Sequence, residues 1–146
     1  MKNESRKSFE LVDFVYPLSI AQLAFDRGAR SIALVSAVGA QEGSFNYYFH
    51  IKGRLENEIK KIGYQKICFA RPGHLLGARK DFRGYEIPIL ESGLRIAAPF
   101  MQGPLKNLRQ VEAKKVAESM VMNMLNKKKG ESYLYYEDFL NTEIFE

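Results

Sequence analysis

SIALVSAVGAQEGSFNYYFHIKGRLENEIKKIGYQKICFA, residues 31–70, holds two short apolar runs on either side of one amphipathic stretch. The first run, SIALVS at 31–36, has the length of a strand and lacks polar alternation, so it reads as a strand buried on both faces. From 44 to 62 apolar residues recur at helical spacing, through Phe45, Tyr48, Ile51, Leu55, Ile59 and Ile62, and Gly63 closes the pattern. KICFA at 66–70 is a second buried strand. Strand, helix and strand within about 40 residues predict a right-handed crossover between parallel strands.

Working outward, residues 10–27 place Leu11, Val15, Leu18, Ala21, Leu23 and Phe25 on an amphipathic helix that Gly28 ends, with Pro17 in its first turn. RPGHLLG at 71–77 reads as a loop, because Pro72 and Gly73 interrupt regular structure. Pro88, Pro99 and Pro104 break the next stretch into short pieces, with one helix expected near 89–98. An amphipathic helix at about 111–127 and a strand in SYLYY, 132–136, complete the pattern. The expected fold is α/β, a partial Rossmann-like parallel sheet flanked by helices, in a single domain spanning 1–146.

The chain has 146 residues, 46% of them hydrophobic, enough for one core. No window reaches 18 uninterrupted apolar residues, and the first ten, MKNESRKSFE, are polar. A secretory signal or membrane span needs an apolar run, so the expected location is cytoplasmic, with no membrane partner. Cys68 is the sole cysteine, which excludes an internal disulfide, and its apolar neighbours suggest a buried thiol. His50 and His74 are too few and too isolated to suggest a metal site. A formal charge of +5 and a pI near 9.3 permit polyanion binding. The basic residues are interleaved with acids, as in RLENEIKK, which argues against nucleic acid. Lys127, Lys128 and Lys129 read as cations at a helix end before Gly130.

Within the opening stretch, Tyr48 and Lys52 lie four apart, on one helical face. A nearby ammonium favours a phenolate, so such a pair can exchange a proton with a carbonyl or alcohol. The spacing alone is weak, since 8 tyrosines and 13 lysines give roughly 0.7 chance occurrences. Context adds weight. Ser36 ends one strand, Tyr48 follows on the next helix, and Arg71-Pro72-Gly73 follows the second strand. All three would meet at the carboxyl ends of parallel strands, where ligands bind.

That ordered set resembles the short-chain dehydrogenase/reductase superfamily in its atypical branches. More narrowly, VDFVYPLSIAQLAFDRGARSIALVSAVGA, FNYYFHIKGRLENEIKKIGY and RPGHLLGARKDFRG resemble the Tat-interacting-protein type of NAD(P)-binding oxidoreductase, over residues 9–125. The resemblance implies Tyr48 as proton donor or acceptor and Lys52 as the group that holds the nicotinamide ribose. It implies Ser36 as a catalytic hydroxyl, with Ala37 where many relatives carry a second serine. It also implies dinucleotide contacts from Leu75 and Arg83. The cofactor would be NADP(H) or NAD(H), and the substrate a small carbonyl or alcohol.

No Gly-x-Gly-x-x-Gly occurs among the 11 glycines, so the turn that would cradle a pyrophosphate is not found. The resemblance therefore covers a carboxy-terminal portion, and the expected consequences are weak NADPH binding and an exposed edge at SIALVS. Through that edge a homodimer or a complementing chain could form. Two functions stand: an oxidoreductase using Tyr48 and Lys52, and a non-catalytic interaction or regulatory module that retains the fold.

Overall fold

The computed structural model describes residues 2–76 and 107–141. Helix α1 (Lys2–Glu10) passes through one π-helical turn (Leu11–Val15) into α2 (Tyr16–Asp26). Pro17 accounts for the wider turn. A proline ring inside a helix collides with the carbonyl four residues earlier, here that of Asp13, and a π turn opens that space. Gly28, at φ +99°, ends α2.

Strand β1 (Ser31–Val35) leads to α3 (Tyr47–Ile62) and β2 (Lys66–Ala70). The Asn46 side chain caps α3 by accepting from the Tyr48 N–H at 2.9 Å, and Gly63 (φ +98°) terminates it. A three-residue strand β3 (His74–Leu76) pairs in parallel with β4 (Gln110–Glu112). Helix α4 (Ala113–Leu125), strand β5 (Gly130–Leu134) and helix α5 (Tyr136–Leu140) follow. The main sheet has the order β1-β2-β5 and is parallel throughout, with Ala33 beside Cys68 and Cys68 beside Ser132. This is the expected α/β class, a partial Rossmann-like sheet flanked by helices.

Successive strand residues point to opposite faces, and the two faces carry separate cores. On one, Ile32, Leu34, Ile67 and Phe69 meet Ala21 of α2 and Leu55 and Ile59 of α3. On the other, Ala33, Cys68, Ala70 and Leu134 meet Val116, Met120 and Met124 of α4 and Phe139 of α5. Helix α3, which joins β1 to β2, and helix α4, which precedes β5, therefore pack on opposite faces of the sheet.

Every residue of β2 is buried, as its continuous apolar run predicts, whereas β1 is half exposed rather than buried on both faces. The cause is position: β2 is central, and among the described residues β1 hydrogen-bonds to a strand along one edge only. Burial also raises the Cys68 thiol pKa. Four local readings change. RPGHLLG contributes a short strand, β5 begins at Gly130, the polar first residues form α1, and Tyr136 starts a helix. The helix-end cation also differs. Helix α4 stops at Leu125, and Lys66 of β2 donates to the Met124 and Asn126 carbonyls and to Asn126 Oδ1, so a neighbouring strand caps it. The helix expected near 89–98 lies outside the described residues. Among the described residues no helix is long and apolar enough to cross a membrane.

Candidate functional site

The carboxyl ends of β1 and β2 are joined backbone to backbone. Ser36 N–H donates to the Ala70 carbonyl at 2.7 Å, and Val38 N–H donates to the Pro72 carbonyl at 3.0 Å. The loop after β1 thus lies beside Arg71-Pro72-Gly73, as the sequence predicts. Ser36 is buried, and its Oγ has no hydrogen-bond partner. A buried hydroxyl without a partner carries a desolvation cost of about 1–3 kcal/mol.

The same loop is fastened to one face of α3. His50 Nδ1 donates to the Glu42 carbonyl, Asn57 donates to the Glu42 carboxylate at 2.7 Å, and Gln41 N–H donates to the Phe49 carbonyl at 3.1 Å. Between His50 and Asn57 lies Gly53, where a Cβ would sit 2.3 Å from the backbone carbon of Gln41. Glycine is required there because backbone passes against helix with no room for a side chain.

The adjoining faces of α3 carry the candidate pair and meet α1 and the π turn. Tyr48 is 40% exposed, with its ring 5.8 Å from that of Phe9 and 5.4 Å from that of Phe49. Lys52 Nζ lies 5.8 Å from the Tyr48 ring centroid, so the two share one face. Its ammonium donates to Asp13 Oδ1 at 2.7 Å, and both side chains are largely shielded from solvent. One turn along, Arg54 pairs with Glu10 at 3.0 Å and stacks 4.4 Å over the Phe14 ring. Tyr47 turns the other way, donating to the Arg6 carbonyl and the Glu10 carboxylate at 3.4 Å each. Burial and the Glu10 charge raise its pKa.

Arg71, the first residue of Arg-Pro-Gly, points inward. It makes a two-point contact with Glu56, with Nε to Oε1 at 3.0 Å and Nη2 to Oε2, and donates to the Tyr135 hydroxyl at 3.0 Å. Its guanidinium also stacks 4.6 Å over the Tyr133 ring. Hydrogen bonding to Glu56 raises its pKa, so it is a permanent cation. Glu56 is only 1% exposed, and this fork is what pairs its buried carboxylate. Arg71 therefore locks α3 to β5.

The structure thus brings Tyr48 and Lys52 together on α3, with Ser36 at the end of the preceding strand. Leu75 lies on β3 and lines an apolar groove with Val35 and α4. Arg83 lies outside the described residues. Asp13 and Glu56 did not emerge from the sequence as site residues. Their signals were a lone acid in the apolar run LVDFV and an acid spaced with the core positions Leu55 and Ile59.

No family model matches the chain. It is similar to fungal proteins named FMP52, mitochondrial. The Candida albicans relative is 32% identical over 126 residues, covering 86% of this chain and 55% of the relative. The Debaryomyces hansenii relative is 35% identical over 78 residues, 53% of this chain and 34% of the relative. The Saccharomyces cerevisiae relative is 37% identical over 70 residues, 48% and 30% respectively. The chain thus spans about half the length of the first of these relatives and about a third of the others.

Two expectations are corrected. The resemblance to the Tat-interacting-protein type gives way to similarity with the distinct FMP52 proteins. The cytoplasmic location is overturned because these relatives are all named mitochondrial. Mitochondrial leaders are amphipathic and basic, so a search for an apolar run does not bear on them.

Proposed function

We propose that this chain carries the acid–base half of a nicotinamide-dependent oxidoreductase acting on a carbonyl or alcohol in mitochondria. The supporting observation is the placement of Tyr48 and Lys52 on one face of α3, beyond the carboxyl ends of β1 and β2. The Tyr48 hydroxyl is the group that exchanges a proton with the substrate oxygen, and its partial exposure leaves it accessible. Lys52 supplies positive charge beside the phenol and the donor toward a ribose. The Ser36 Oγ, buried without a partner, is a further donor at the strand end. A bound nicotinamide dinucleotide supplies or accepts the hydride.

The residues fit the ribose end of such a cofactor and not the diphosphate end. Among the described residues no glycine-rich turn opens a helix, and Lys52 is already engaged by Asp13. That ion pair favours a second reading, a non-catalytic module in which the pair only joins α3 to the π turn.

Asp13→Asn separates the two. If Lys52 is a working group, releasing it strengthens NADPH binding, read as a larger NADPH-induced rise in melting temperature, and Tyr48→Phe abolishes NADPH-dependent carbonyl reduction. If the module reading holds, Asp13→Asn lowers stability and nucleotide has no effect on either protein. Unchanged turnover in Tyr48→Phe would remove that tyrosine from the chemistry.

A further inference from the structure

Phe45, three positions before Tyr48, is the most exposed large apolar side chain among the described residues, at 109% relative exposure. We propose that its ring receives the aryl group of a neutral aromatic carbonyl or alcohol whose oxygen lies at the Tyr48 hydroxyl. This names a substrate class, and it rests on the reading of Tyr48 as the proton-exchanging group.

Three observations carry this. First, the fold makes no use of Phe45. Asn46 caps α3, so Phe45 occupies the position just outside the helix, where an apolar residue ordinarily packs on the fourth helical residue. That residue is His50, and its ring turns instead to the Glu42 carbonyl, where it fastens the preceding loop. The packing partner is thus diverted, and a large apolar ring is left in water at the entrance to α3. Second, the phenol sits among rings. Tyr48 lies 5.8 Å from the Phe9 ring and 5.4 Å from the Phe49 ring, and Phe45 precedes it at the same end of the helix. Aromatic pairs attract beyond the area they bury, by about two- to tenfold in affinity, so this rim favours an aryl group over an aliphatic one of equal size.

Third, the charges beside the phenol are already matched. Lys52 is held by Asp13 at 2.7 Å, Arg54 by Glu10 at 3.0 Å, and Arg6 stacks 5.2 Å over the Tyr47 ring. A carboxylate or phosphate on the substrate would have to displace Asp13 or Glu10 to reach a cation there, and would be repelled by the acid it displaced. A neutral aryl carbonyl meets no such opposition. Its ring finds Phe45, and its oxygen finds the one hydroxyl on that face of α3.

The test titrates the whole chain with para-fluorobenzyl alcohol, followed by fluorine NMR with and without NADP+. Saturable binding is expected, with nuclear Overhauser contacts between the ligand ring and the Phe45 ring. Phe45→Leu keeps apolar surface and removes the ring, so it should weaken binding about two- to tenfold, and Phe45→Ala should weaken it further. Cyclohexylmethanol should bind the parent and Phe45→Leu alike, and para-carboxybenzyl alcohol should bind the parent about tenfold more weakly than the fluoro compound. Ile20→Ala, at a position 67% exposed on α2, should leave binding unchanged. Both Phe45 variants should melt at the parent's temperature, because the ring supports nothing in the fold. The proposal is overturned by an absence of saturable binding, by undiminished binding in Phe45→Ala, by an equal loss in Ile20→Ala, or by a carboxylate analogue that binds as tightly. The reading of Tyr48 is scored separately, through NADP+-dependent oxidation of the same alcohol by the parent and Tyr48→Phe. Binding at Phe45 without turnover would leave the aryl contact standing and remove that reading, whereas turnover indifferent to Phe45 would do the reverse.

Discussion

Gly53→Ala sets two effects against each other. Helix propensity favours alanine in a helix interior by about 1 kcal/mol. Packing opposes it, because the new Cβ would lie 2.3 Å from Gln41 C, 2.4 Å from Glu42 N and 2.6 Å from Gln41 Cα, all backbone atoms. Relief requires the loop to lift. That movement strains or breaks the bonds from His50 and Asn57 to Glu42 and from Gln41 to Phe49. At about 1 kcal/mol each, the three bonds bound the cost near 3 kcal/mol, which is also the upper range for overpacking. The net expectation is a loss of about 2 kcal/mol. Urea unfolding followed by far-ultraviolet circular dichroism reads it as a lower midpoint with unchanged slope. Hydrogen exchange should rise in residues 37–46 and not in β2. An alanine variant equal to or more stable than the parent would show that the loop yields freely, and would refute the close approach.

Two further outcomes follow from buried polar groups. Arg71→Lys leaves the buried Glu56 carboxylate with at best one donor and removes the Tyr135 bond, so a loss of about 2–3 kcal/mol is expected. A double-mutant cycle with Glu56→Gln should show strong coupling, and additive losses would refute the fork. Tyr64 is buried and donates to the Ala21 carbonyl at 2.6 Å, so Tyr64→Phe should cost about 1 kcal/mol by removing that bond. Burial raises the Tyr64 pKa, so the fold favours the neutral phenol. Its contribution is therefore complete below the unfolded value, near 10, and lost as pH rises through the higher folded value. Alkaline melting curves should show a decline in the parent that is smaller in Tyr64→Phe.

The sequence disclosed the centre of the fold better than its margins. KICFA was legible because a strand buried on both faces needs no alternation, and α3 because its core residues repeat at helical spacing. Strands β3 and β4 are three residues each, too short for any period to register. Helix α1 is polar, with no strong apolar stripe to betray it, and is held to α3 through Glu10, Arg54 and Tyr47. The site was legible as far as local spacing reaches, which brought out Tyr48 with Lys52. Lys52's partner Asp13 is distant in sequence and is placed by a π turn that no pattern announces. Arg71 was expected to address the crevice. Its direction was settled by Glu56, an acid on the buried side of α3 that must find a cation.

The unequal lengths of the two crossovers bear on the order in which the chain assembles. Pairing of Ser31 with Lys66 closes a moderate loop through one helix, while pairing of Lys66 with Gly130 spans almost twice the sequence separation. Longer closure costs more entropy before contacts reward it, and non-local strand pairing is slow. The β1-α3-β2 unit is thus expected to form first and β5 to dock late. Tyr48 and Lys52 both lie on α3 of the early unit, while their neighbours Phe9 and Asp13 come from the preceding helical segment. The half-built state thus presents the candidate pair and an unpaired central strand at the same moment.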